Sequence, residues 1–262
     1  MFGGLMDWAN SGDTDWAEQV LNAAAGQAIR QLFTRSESVD VKIGFQRATQ
    51  ILAGNIDSLS MKGRGLVIRR DFPVEELWFE TDAVSLDFSA VPQGKIRLKK
   101  PTRAVAKVTL SEAGVNQALK AALVQKRLND IILPNALPDG DRLCFTDLEI
   151  QLLKSDRVRI FAKARQGNGA IVPICAISNL KVQRRRQLVF QEVCCEKAVV
   201  PEELQHISEV LSYNLIQALN SIVDVDRFNL DGVHLWLNRV EIHNKQLIFG
   251  GYAEIDRFPR SG

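Results

Sequence analysis

Hydrophobic and polar positions change period several times along this chain, and each change predicts a different element. Between Asp15 and Thr34, Trp16, Val20, Ala24, Ala28, Leu32 and Phe33 recur at helical spacing, with Thr14 placed to cap the first turn and Asp15 and Glu18 inside it. This predicts an amphipathic helix. The period then falls to two: Val39, Val41 and Ile43 alternate with polar residues, and Ile56 to Arg70 and Leu77 to Phe88 behave alike. Gly94 to Lys99 continues the alternation, and Ala104, Ala106, Val108 and Leu110 place a row that grows from small to large on one strand face.

Ser111 is placed to cap a second helix with Val115, Ala118, Leu119, Ala122 and Leu123 as its stripe, ending before Pro134. Pro134, Pro138, Asp139 and Gly140 mark a loop. Alternating segments follow near Leu143 to Leu153, Arg157 to Lys163, Ala170 to Val182 and Leu188 to Cys194, with Gly167-Asn168-Gly169 as a hairpin turn. Pro201 opens a third helix striped by Leu204, Ile207, Leu211, Leu215, Ala218 and Ile222, and a last hairpin runs from Val233 to Ile242 and Gln246 to Ile255. Helices and strands do not alternate regularly, so the pattern predicts an antiparallel α+β fold rather than a parallel sheet. With no low-complexity linker between the halves, one domain is expected.

Composition narrows the function little. Lys and Arg number 33 against 31 Asp and Glu, too even a balance to predict nucleic-acid binding, so any basic patch is local. No Lys or Arg precedes Arg30, and a secretory signal is not expected; no run is long and apolar enough to span a bilayer. The expected location is the cytoplasm, with peripheral attachment to a membrane as an option. Cys144, Cys175, Cys194 and Cys195 lack a Cys-x-x-Cys spacing and read as reduced thiols; alternation predicts that at least one of Cys194 and Cys195 is buried.

Candidate chemistry is sparse. His206, His234 and His243 show no metal-ligand spacing, and Glu203 with His206 lacks the second Glu-x-x-His of a di-iron bundle. Gly63-Arg64-Gly65 lacks the third glycine of a dinucleotide fingerprint and reads as a bend in a strand. No nucleophile and base, or paired carboxylates, can be assigned, so a non-enzymatic protein needing no cofactor is expected. Met1, Phe2, Leu5, Met6 and Trp8 form a short apolar tip suited to a membrane interface.

Several passages together resemble one family. They are Met61-Lys62-Gly63-Arg64-Gly65-Leu66-Val67-Ile68-Arg69, Leu77 to Val84, Leu98 to Ala104, Leu110-Ser111-Glu112-Ala113-Gly114-Val115-Asn116, and Gly232 to Leu237. In order and spacing they look like the LmeA family of phospholipid-binding proteins, nearest its cyanobacterial members, over roughly residues 15 to 257, with residues 1 to 14 as a tail. The resemblance implies a curved antiparallel sheet wrapped around a long helix, similar to tubular lipid-binding folds, with an apolar groove for acyl chains. On that basis Val158, Ile160, Ala162, Val172, Ile174 and Ala176 are groove candidates, and Lys181, Arg184, Arg185 and Arg186, between two strands, are candidates for meeting anionic headgroups. Lys95, Arg97, Lys99 and Lys100 form a second basic run. The expected partner is phospholipid or a membrane surface; the alternative is a membrane-surface adaptor that carries no lipid and acts through a protein partner.

Overall fold

The computed structural model describes residues 33–46, 54–68, 72–87, 97–120, 143–167, 169–222 and 232–256, with scattered positions between 19 and 30 and single positions 50 and 125. In chain order the strands are β1 (Ser38–Gly44), β2 (Asn55–Ile56), β3 (Ser58–Ile68), β4 (Phe72–Thr81), β5 (Val84–Asp87), β6 (Arg97–Leu98), β7 (Thr102–Ser111), β8 (Cys144–Leu152), β9 (Arg157–Arg165), β10 (Ile171–Gln183), β11 (Gln187–Cys195), β12 (Val233–His243) and β13 (Gln246–Ile255). Two helices are described at length, α1 (Glu112–Leu119) and α2 (Gln205–Ile222). The chain is therefore α+β and mostly antiparallel sheet.

The strands form a six-stranded sheet in the order β1-β3-β4-β7-β13-β12, a four-stranded sheet in the order β11-β10-β9-β8, and a small sheet of β2, β5 and β6. Both larger sheets feed one apolar core. Leu66, Val74, Leu110, Val240 and Leu247 come from the six-stranded sheet, Phe145, Ile160, Ile174 and Phe190 from the four-stranded one, and Leu211, Leu215 and Leu219 from α2. Each large aliphatic or aromatic side chain among them contributes about 1.5 to 3 kcal/mol by leaving water. Of the stripe predicted for the third helix, Leu211 and Leu215 lie in this core, Ile207 packs against it and Ala218 is buried. Pro201 stands just ahead of a 3-10 turn, Glu202–Leu204, that runs into α2.

Several expectations fall partly outside the described residues. These are the apolar tip, most of the first helix, 88–96, most of 121–142, Asn168 and 223–231. Of the first helix, Gln19, Asn22, Ala23, Ala25, Gly26, Gln27, Ile29 and Arg30 are helical, as is Gln125 beyond α1. The Gly63-Arg64-Gly65 run is a bend within β3, as its glycines predict: Gly65 has φ 56°. Past this bend the alternation shifts, so that Leu66 joins the core and its side chain lies over Gly63.

Helix asparagines seal the strand edges. Asn116 of α1 accepts from Ile150 N–H and donates to Ile150 C=O, both at 2.8 Å, while Glu112 accepts from Leu152 N–H at 2.7 Å. Ser111 caps the same helix by accepting from Gly114 N–H. The Ser-Glu-Asn pattern entering the second helix thus clamps α1 onto the β8 edge. Asn220 of α2 repeats the device on β11, accepting from Phe190 N–H at 2.7 Å and donating to Phe190 C=O at 3.2 Å. Asn22 accepts from Ile43 N–H on β1 at 2.8 Å. Edge strands expose unpaired backbone groups, and these amides satisfy them.

Candidate functional site

The inner face of the six-stranded sheet carries a candidate trough, read from the sizes of its side chains. Along β7 its side chains are Ala104, Ala106, Val108 and Leu110; along the neighbouring β13 the positions are Ala253, Gly251, Phe249 and Leu247, each directly opposite its counterpart. Both central strands therefore taper in the same direction, from almost no side chain to bulky ones. Phe79 of β4 lies opposite Ala106, and Leu237 of β12 lies opposite Gly251, so larger side chains flank the small ones. These walls stand three strand spacings apart, about 14 Å. At the wide end Ala104 and Ala253 are buried, whereas Ala106, Gly251, Phe79, Leu235 and Leu237 keep partial exposure. Val108, Phe249, Leu110 and Leu247 belong to the core or pack against it, which closes the narrow end.

A bulge shapes one wall. The β12 register shifts between Leu237 and Arg239, opposite Gly250 and Gly251. A Cβ at Gly251 would run into the Trp236 carbonyl, so only glycine fits there.

The groove candidates read from sequence lie elsewhere. Val158, Ile160 and Ala162 face Ser178, Ala176 and Ile174 across β9 and β10, and Val172 lies in the same row. All six are buried, and five of them share the main core with α2. They are covered by protein side chains.

Lys181, Arg184, Arg185 and Arg186 sit where expected, on the exposed β10–β11 hairpin. Arg184 and Arg185 have φ of 51° and 58°, and Arg186 N–H closes the turn on Gln183 C=O. Lys181 pairs with Glu192 at 3.2 Å. The hairpin is fixed to the other sheet, because Leu237 N–H donates to Arg185 C=O at 2.7 Å. Of the second basic run, Arg97, Lys99 and Lys100 are exposed and Lys95 lies outside the described residues.

Neither of the adjacent cysteines is buried, contrary to the expectation from alternation: Cys194 is exposed and Cys195 half-buried, because β11 is an edge strand covered only along part of its length by α2. The buried thiol is Cys175. Burial, and then the Glu196 carboxylate that accepts its hydrogen bond at 3.3 Å, push it from 9.0 up to about 12. None of the four cysteines is in a disulfide. Among the described residues, no three His, Cys, Asp or Glu groups gather as a metal site, and no helix is long and apolar enough to cross a membrane.

The model of the LmeA-like phospholipid-binding family matches residues 12–251, nearly the whole chain. The chain belongs to this family. No curated protein and no solved structure matches it. Of the passages that carry the LmeA resemblance, Leu110 to Asn116 has a structural role in clamping α1, and Ala104 stands at the wide end of the trough. Sequence periodicity exposes the taper on β7, but the matching taper on β13 requires knowing that the two strands are neighbours.

Proposed function

We propose that the protein binds phospholipid without chemically changing it, with acyl chains lying along the trough of β7 and β13. The paired taper in a member of a phospholipid-binding family carries this reading. Each buried methylene contributes about 0.8 kcal/mol, and the small side chains leave volume for it. The exposed arginines of the β10–β11 hairpin, tied to the edge of the same sheet, meet the phosphate of an anionic headgroup. A curved antiparallel sheet closing on helices is the arrangement of tubular lipid-binding folds, and in this reading the protein works as a carrier or a membrane-associated factor.

Native mass spectrometry, followed by lipid extraction of the same sample, tests the proposal. Stoichiometric phospholipid is expected. Ala106→Phe fills the trough and abolishes the bound lipid, whereas Lys107→Phe, exposed on the opposite face of the same strand, leaves it unchanged. A protein that remains lipid-free after incubation with mixed phospholipid vesicles overturns the reading and favours an adaptor acting through a protein partner.

A further inference from the structure

The outer face of the same sheet carries a second, chemically different cleft. Its volume is about 640 Å³, and Glu80, Asp82, Arg103, Val105, Trp236 and Glu254 are among its lining residues. Tyr252 also lines it and stacks on Trp236 with centroids 4.7 Å apart and planes 10° from parallel. The register places Val105 and then Glu80 on the other side of Tyr252, so its second ring face looks into the cleft. Asn238, the extra residue of the β12 bulge, also lines it, as do Thr81 and Ala104.

The charge is unbalanced. Three carboxylates share the cleft with one guanidinium, and among the described residues none of Glu80, Asp82, Glu254 and Arg103 is ion-paired. Elsewhere on this face Glu76 is held by Lys62 at 3.0 Å and Glu241 by Arg239 at 3.2 Å. Unpaired carboxylates beside a half-buried aromatic pair suit a cation that the ring face also attracts. Val105, 50% exposed between them, favours a cation with apolar surface. A primary ammonium is more strongly hydrated and gives up more on entering.

We infer that this cleft binds a methylated ammonium of the trimethylammonium type, its methyl groups on Tyr252 and Val105 and its charge toward Glu80 and Glu254. The site opens on the opposite face of the sheet from the trough, shares Ala104 with it, and does not depend on lipid occupying the trough. Such a cation belongs either to a free small molecule or to a zwitterionic lipid headgroup.

Calorimetric titration of the full-length protein with choline chloride tests this, with 3,3-dimethyl-1-butanol as the uncharged analogue of the same shape. Choline is expected to bind at least about tenfold more tightly than the analogue. Glu254→Gln and Tyr252→Leu each weaken it, and their circular dichroism and melting check that the fold is kept. Binding to phosphatidylcholine vesicles, competed by choline and not shared by phosphatidylglycerol vesicles, identifies a headgroup; choline binding without vesicle binding identifies a free ammonium compound. Equal binding of choline and its analogue, or a response to methyl glucoside and none to choline, overturns the inference.

Discussion

Replacing Asn116 with Ala removes both bonds that its amide makes to Ile150, whose N–H and C=O then lose partners at a residue only 4% exposed. Each stranded buried group costs about 1 to 3 kcal/mol, so the loss should be about 2 to 6 kcal/mol. For a chain of this size each kcal/mol lowers the melting temperature by about 2 to 4 °C. Urea unfolding and thermal melting measure the loss, and amide exchange should localise it to β8. Asn116→Asp does not rescue, because a carboxylate keeps the acceptor for Ile150 N–H but confronts the Ile150 carbonyl. Gln117→Ala, exposed on the same helix, should change stability by less than about 0.5 kcal/mol. If Asn116→Ala costs no more than Gln117→Ala, water replaces the amide and the clamp is not structural.

Gly251→Ala should cost about 1 to 3 kcal/mol in urea unfolding, because the new methyl displaces the Trp236 carbonyl at the bulge. Converting Arg184, Arg185 and Arg186 together to Gln should weaken sedimentation with anionic vesicles by up to roughly a hundredfold, at about 1 kcal/mol per charge, while leaving neutral vesicles unaffected. In the native protein Cys194 should react with a thiol reagent well before Cys175, and mass mapping reads the order. Because the Cys175 proton is held more tightly in the folded state, its contribution to stability is intact below pH 9.0 and declines as pH rises toward about 12, which alkaline melting curves would register.

Local pattern is a good guide to elements and a poor one to sites. Period-two runs locate β1, β7, β9 and β10, and the stripe of Leu211, Leu215 and Ala218 locates α2, because burial on one face leaves a trace in neighbouring residues. The apolar row from Val158 to Ala176 is equally visible, yet alternation cannot say whether a face meets a helix or a ligand. The trough depends on β13 lying beside β7, and the clamp on Asn116 reaching Ile150; both are contacts between distant parts of the chain. The basic hairpin is legible as a turn, whereas its attachment at Leu237 is not.

The asparagine clamps bear on how copies of this protein treat one another. A strand arriving from a second molecule at β8 would find Ile150 already engaged in both directions, and at β11 it would meet the same obstacle at Phe190. A strand pairing across Ile150 or Phe190 must first break two hydrogen bonds to a helix. The amides therefore guard against aggregation as well as unfolding, and a molecule whose helices have come away offers its neighbours the open template that the folded one denies them.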